Sequence, residues 1–126
     1  MLADRPISAF VATTQPDVAQ RFYTDALGLK LTSRDQYALV FDAGGTMLRV
    51  VIVESLAPQP FTILGWVVPD IRATVAELTH RGVDFTRYAW MDQDELGIWS
   101  TPDGSKVAWF TDPDGNTLSL TQFQGT

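Results

Sequence analysis

The fold is decided by residues 107–123, Val107-Ala108-Trp109-Phe110-Thr111-Asp112-Pro113-Asp114-Gly115-Asn116-Thr117-Leu118-Ser119-Leu120-Thr121-Gln122-Phe123. Pro113 presets φ for an early turn position, and Gly115 and Asn116 tolerate the positive φ that closes a turn. On either side, apolar and polar residues alternate with period two. Val107, Trp109 and Thr111 face one way and Ala108 and Phe110 the other; Leu118 and Leu120 oppose Thr117, Ser119 and Thr121. Two strands joined by a tight turn follow. The last strand turns an apolar face to a helix and a hydroxyl face elsewhere, and function depends on what occupies that second face.

Working outward, the same signals recur. In the first half, residues 7–13 read as a strand. Pro16 suits the first turn of a helix, where its missing N–H would be unpaired anyway. Val18, Ala19, Phe22, Ala26 and Leu27 keep helical spacing until Gly28, predicting a helix over 16–27. Residues 29–34, 37–42 and 47–54 read as strands, with Gly44-Gly45 a hairpin turn. Residues 55–61, with two prolines, read as a linker. The pattern then restarts: a strand over 62–68, a helix capped by Asp70 and ended by Gly82, and strands over 83–88 and 97–101 before the hairpin. Ile71, Val75 and Leu78 form the buried stripe of that helix. The expected class is α+β, one domain over 1–126. It has a βαβββ module at 7–54, the linker at 55–61 and a second βαβββ module at 62–123. Each sheet has one helix-covered face, so two curved sheets facing each other would enclose a cleft.

Three words in the sequence carry a resemblance. Asp112-Pro113-Asp114-Gly115-Asn116 before an alternating strand resembles the closing hairpin of the vicinal oxygen chelate superfamily, which includes glyoxalase I, extradiol dioxygenases and bleomycin-resistance proteins. Phe22-Tyr23-Thr24-Asp25-Ala26-Leu27-Gly28-Leu29 is similar to that superfamily's end of helix 1. Val67-Val68-Pro69-Asp70-Ile71 looks like its entry to the second helix. The resemblance spans essentially the whole chain, and it implies paired βαβββ modules whose mixed sheets form a cleft. It also implies a homodimer, with modules paired within or between chains.

The superfamily's enzymes hold a divalent ion with four side chains. Carried over by distance from the matching words, those positions fall on Ser8, Arg49, Ile63 and Ser119. None is a histidine or carboxylate, and Arg49 would repel a cation. The neighbours Leu48, Val50, Thr62 and Leu64 are no better as ligands. The single histidine, His80, falls in the last turn of the second helix, where a cation complements the dipole. The expectation is therefore no metal and no cofactor.

Composition narrows the classes further. There is no cysteine, which removes disulfides and thiolate chemistry together. A net charge of −6 disfavours nucleic acid, whose binding needs clustered Lys and Arg. No apolar run approaches membrane-spanning length, and no signal-peptide pattern opens the chain. A cytoplasmic protein without a membrane or nucleic-acid partner is expected. There is no Gly-x-Ser-x-Gly elbow and no phosphate-binding glycine loop.

If the carried-over positions face a cleft, alternation adds Phe10 beside Ser8 and Val51 beside Arg49. Such a lining reads as a small-molecule pocket or as a closed core. Arg49 would pair with a ligand's carboxylate or phosphate, or with Glu54 or Asp42 of the chain itself. Trp66 reads as core under the second helix, while Trp109 can face either way. Trp90 and Trp99 flank the acidic loop Met91-Asp92-Gln93-Asp94-Glu95. That arrangement suits a flat cationic guest, or it is a solvated loop anchored by tryptophans. The candidate ligand-binding residues are Ser8, Phe10, Arg49, Val51, Ile63, Trp90, Trp99, Trp109 and Ser119. The first function they suggest is a metal-independent small-molecule binder. It would resemble the superfamily's antibiotic-sequestering members, which act in antibiotic resistance. The alternatives are a glyoxalase- or dioxygenase-like enzyme (a lyase or oxidoreductase) with a displaced metal or acid–base site, and an interaction module with a vestigial cleft.

Overall fold

The computed structural model describes residues 1–125, which form two compact units, one over Met1–Ala57 and one from Pro58 onward. In the first, β1 (Ser8–Thr13), α1 (Pro16–Arg21), β2 (Lys30–Arg34), β3 (Ala38–Ala43) and β4 (Thr46–Ile52) give a βαβββ module. Its sheet has the order β1-β4-β3-β2, with β1 parallel to β4 and the remaining pairs antiparallel. Alternation sorts the faces. Val11, Val50 and Leu39 lie side by side across three strands and are buried, as are Leu48 and Phe41 in the neighbouring row. Each such side chain contributes roughly 1.5–3 kcal/mol on burial. Gly44 and Gly45 both take positive φ, as a two-residue hairpin of the right-twisting kind requires, and Asp42 accepts the Gly45 N–H at 2.8 Å.

The helix expected over 16–27 changes character halfway. From Phe22 to Ala26 it is a π-helical turn, closed by the Leu27 N–H on the Phe22 carbonyl at 3.1 Å. The wider turn carries Tyr23, which is fully buried with its ring 5.7 Å from Phe41. Such insertions are rare in helices and leave no composition signal.

The second unit repeats the module with β5 (Thr62–Val67), α2 (Ile71–His80), β6 (Trp99–Ser100), β7 (Lys106–Thr111) and β8 (Thr117–Gln122). The order is β5-β8-β7-β6, again with one parallel pair, β5 and β8. Asp70 caps α2 by accepting the Ala73 N–H, and Gln122 accepts the Ile71 N–H at 2.9 Å. Ile71, Val75 and Leu78 are buried on a helix that contacts β7 and β8, over Ala108, Phe110, Leu118 and Leu120. Trp66 lies half-buried on this face, stacked 6.4 Å from Phe110.

Two expected strands are corrected here. Residues 83–88 form no strand, and 97–101 shortens to Trp99–Ser100. The outer edge of β7 explains both. Trp99 and Ser100 pair with Val107 and Lys106, while Phe85 bridges Phe110 and the Thr86 N–H donates to the Trp109 carbonyl at 2.7 Å. Two segments divide one short edge, so neither gains enough ladder to be regular. Among the described residues, no helix is long and apolar enough to cross a membrane.

Candidate functional site

In the first unit, the face away from the core carries Ser8, Phe10, Arg49 and Val51. Phe10 sits opposite Arg49, and Val51 opposite Ala12. Phe10 is 58% exposed. Among the described residues Arg49 enters no ion pair, so pairing with Glu54 or Asp42 is not what the structure has; Asp42 is instead engaged with the Gly45 N–H. The carboxylate that feels Arg49 is Asp35. The N–H groups of Tyr37 and Ala38 hold its pKa below the ordinary value, and the Arg49 charge adds to the shift.

In the second unit the corresponding face is built differently. Ser119 is 7% exposed and lies beside Gly65, where a Cβ would come within 2.6 Å of the Ser119 Oγ. Gly65 is therefore what lets β5 pass so close to that hydroxyl. Ile63 stands at the irregularity between Thr62 and Leu64 and is 39% exposed. Trp109 is opposite Ser119, and Trp99 opposite Val107. The rings then run in series. Trp99 and Trp109 are 6.2 Å apart, Trp109 and Tyr88 5.7 Å apart and edge-on, and Tyr88 and Trp90 5.6 Å apart. The Trp109 indole N–H donates to the Thr62 Oγ1 at 3.1 Å, which fixes the central ring.

A cavity of about 180 Å³ lies against this series. Tyr88, Trp90 and Met91 form its wall on the loop side, Trp109 and Thr117 come from the sheet, and residues 60–62 close it at the start of β5. Trp90 is 79% exposed, so its ring edges the opening rather than filling a core. A separate hollow of about 230 Å³ holds Asp92, Trp99 and Ser100 along with Gln93, Asp94 and Ile98.

The loop that carries Tyr88 to Met91 into place is held by polar contacts. Gln93 accepts from the Tyr88 N–H and donates to the carbonyls of Thr86 and Gly97. Asp94 accepts the N–H groups of Leu96 and Ile98 with one oxygen, while its other oxygen meets Arg72 on α2 at 3.1 Å. Arg72 also holds Glu95 at 2.7 Å. The guanidinium of Arg87 donates to the carbonyls of both residues. The Arg72 hydrogen bond keeps the Glu95 carboxyl below its usual pKa, and the same pair raises Arg72. Two of the loop's three carboxylates thus share one guanidinium.

Of the nine sequence candidates, the second unit brings together Trp90, Trp99, Trp109 and Ser119, and places Ile63 at the edge of the same sheet. Ser8, Phe10, Arg49 and Val51 share a face of the other sheet. The sequence reading missed Tyr88, Met91 and Phe61. Tyr88 was hidden at the end of the expected strand 83–88, although its i+2 spacing to Trp90 was a usable signal.

The four positions that a superfamily metal would use hold two hydroxyls, a guanidinium and a hydrocarbon, a set that does not fit a divalent ion. Among the described residues no group of three or more His, Cys, Asp or Glu side chains is placed to hold one.

The family model for the Glyoxalase/Bleomycin resistance protein/Dioxygenase superfamily matches residues 7–120, and the chain belongs to that superfamily. A glyoxalase family protein from Enterococcus faecalis aligns with a TM-score of 0.75 at 19% identity, over 97% of this chain and 100% of that one. A superfamily member from Sphaerobacter thermophilus DSM 20745 aligns at 0.74 and 22%, over 98% and 100%. A lactoylglutathione lyase from Agrobacterium tumefaciens aligns at 0.69 and 17%, over 94% and 93%. At these identities the likeness is one of fold. No curated protein matches the chain.

Proposed function

We infer that the chain is a metal-independent small-molecule-binding protein of this superfamily, with the aromatic cavity of the second unit as its site and sequestration of an aromatic compound, such as an antibiotic, as its task. The observation that carries this reading is the cavity itself. Its wall offers indole, phenol and phenyl faces, a thioether and two threonine hydroxyls. These groups stack and hydrogen-bond, and none of them is a carboxylate, an imidazole or an ammonium. A dry cavity of about 150 Å³ takes one benzene ring, so about 180 Å³ suits a ring system whose remainder stays in solvent. Stacking on these rings supplies roughly 0.5–1.5 kcal/mol per aromatic contact beyond area burial. Sequestration needs only affinity and abundance.

The test is a titration of chelator-treated protein with aromatic compounds, read by tryptophan fluorescence, with metal content measured in parallel. Saturable quenching without metal, weakened at least tenfold by Trp109→Ala, is expected. One metal ion retained per chain, together with turnover of a glyoxalase or dioxygenase substrate, would overturn the reading in favour of an enzyme.

A further inference from the structure

The cavity wall differs from its surroundings in which hydrogen-bonding groups it leaves unused. Thr62 accepts from the Trp109 indole, so its own O–H remains to be donated. Tyr88 and Trp90 contribute a phenol O–H and an indole N–H, and neither group has a protein acceptor among the described residues. Thr117, the other hydroxyl of the wall, is directed to the Gln59 carbonyl at 3.4 Å. The Thr62 and Tyr88 hydroxyls each keep an O–H to donate, with lone pairs that can also accept, and the Trp90 indole N–H is a donor only. No carboxylate, guanidinium or ammonium lines the cavity. The carboxylates that follow in the loop, Asp94 and Glu95, are paired with Arg72, and Asp92 belongs to the separate hollow.

A cationic guest would meet ring faces here but no carboxylate to pair with, and an anionic one would need a cation. The wall provides neither. It does provide flat faces and donors. Resting on the reading of this cavity as the binding site, we propose that the guest is an uncharged aromatic ring bearing hydrogen-bond acceptors, such as a ring nitrogen or a ring carbonyl. The rings of Trp109 and Trp90 hold its faces or edges, and Tyr88 and Trp90 donate to its acceptor. An acid loop beside tryptophans invites a cation when read from sequence; in the structure Arg72 already engages two of its three carboxylates.

Three bicyclic compounds of nearly equal size separate the possibilities: isoquinoline, naphthalene and N-methylisoquinolinium. Each is titrated at pH 8, where isoquinoline is neutral, by fluorescence quenching and calorimetry. Isoquinoline is expected to bind about tenfold more tightly than naphthalene, the value of one well-made hydrogen bond. N-methylisoquinolinium is expected to bind no better than naphthalene. Tyr88→Phe and Trp90→Phe keep the ring faces, and at least one of them should cut the isoquinoline advantage to threefold or less. If the cation binds best, or naphthalene equals isoquinoline, or both variants keep the full advantage, the proposed ligand class is wrong while the cavity remains a binding site. If none of the three saturates, the site reading falls with it.

Discussion

The two units share a module but not a connection. In the first, only residues 27–29 separate the helical segment from β2; in the second, residues 81–98 separate α2 from β6. The short connection leaves Phe10 exposed on its sheet face. The long one brings Tyr88, Trp90 and Met91 over the equivalent face and creates a cavity. All four tryptophans lie in the second unit. The same architecture thus carries, in the second unit, a site whose outer wall is supplied by the loop after the helix. Long loops held by polar contacts are where a repeated scaffold acquires function.

The largest expected effect tests what the units have in common. Phe41→Ala and Phe110→Ala each remove a fully buried ring from a sheet core, and each should cost about 3–5 kcal/mol in urea unfolding. Circular dichroism should be the probe for Phe41→Ala, because tryptophan fluorescence reports only the second unit. A loss near 1 kcal/mol at either site would show that the core of that unit is looser than its partner's.

Next come the hairpin turns, which should part the units. Asp112 is buried and accepts from the N–H groups of Asp114 and Asn116 and from the Asn116 side chain. Asp112→Ala should cost about 2 kcal/mol, since it strands buried donors. Asp42→Ala, which removes one exposed bond, should cost less than about 0.5 kcal/mol. Equal losses would contradict the difference in burial.

The loop clamp is smaller in energy but local in its readout. Arg72→Ala should speed amide exchange at Leu96 and Ile98 and leave the global unfolding midpoint nearly unchanged. The pH dependence has a definite sign. Glu95 has its pKa lowered in the folded state, so its contribution is complete above its ordinary value of 4.5 and is lost as pH falls through the lowered one. Loop protection should stay flat from neutral pH to about 4.5 and decline below it, and Arg72→Ala should make that decline shallower, since Arg72 is the first cause of the shift while a backbone hydrogen bond and the Arg87 charge remain. The smallest effect belongs to the first sheet. Phe10→Ala should change stability by less than about 0.5 kcal/mol and leave binding at the aromatic cavity untouched.

Most of the fold could be read because its signals are local. Asp70, the paired glycines at 44 and 45, and the alternation of Leu118 and Leu120 each act over a few residues. What escaped reading depended on partners distant in sequence. Residues 83–88 have strand composition, with Val83, Phe85, Thr86 and Tyr88, yet only the division of the β7 edge decides that they are not one. The π turn at Phe22 depends on seating Tyr23 against Phe41. The tryptophans were visible as candidates. Their grouping around Tyr88 was not, and neither was the pairing of Asp94 and Glu95 with Arg72, twenty-two positions before Asp94.

The divided edge of β7 has a further consequence for the solution behaviour of the chain. An outermost strand with a long row of free N–H and C=O groups is a template on which another polypeptide can add. Here that row is capped by a two-residue strand at one end and by a single bridge at the other. Neither piece is long or flat enough to seed strand addition. The irregularity that defeats a simple strand assignment is also a guard against edge-to-edge aggregation on this side of the sheet. Replacing it with a regular strand over 83–88 would make the sheet tidier and the protein more prone to self-association.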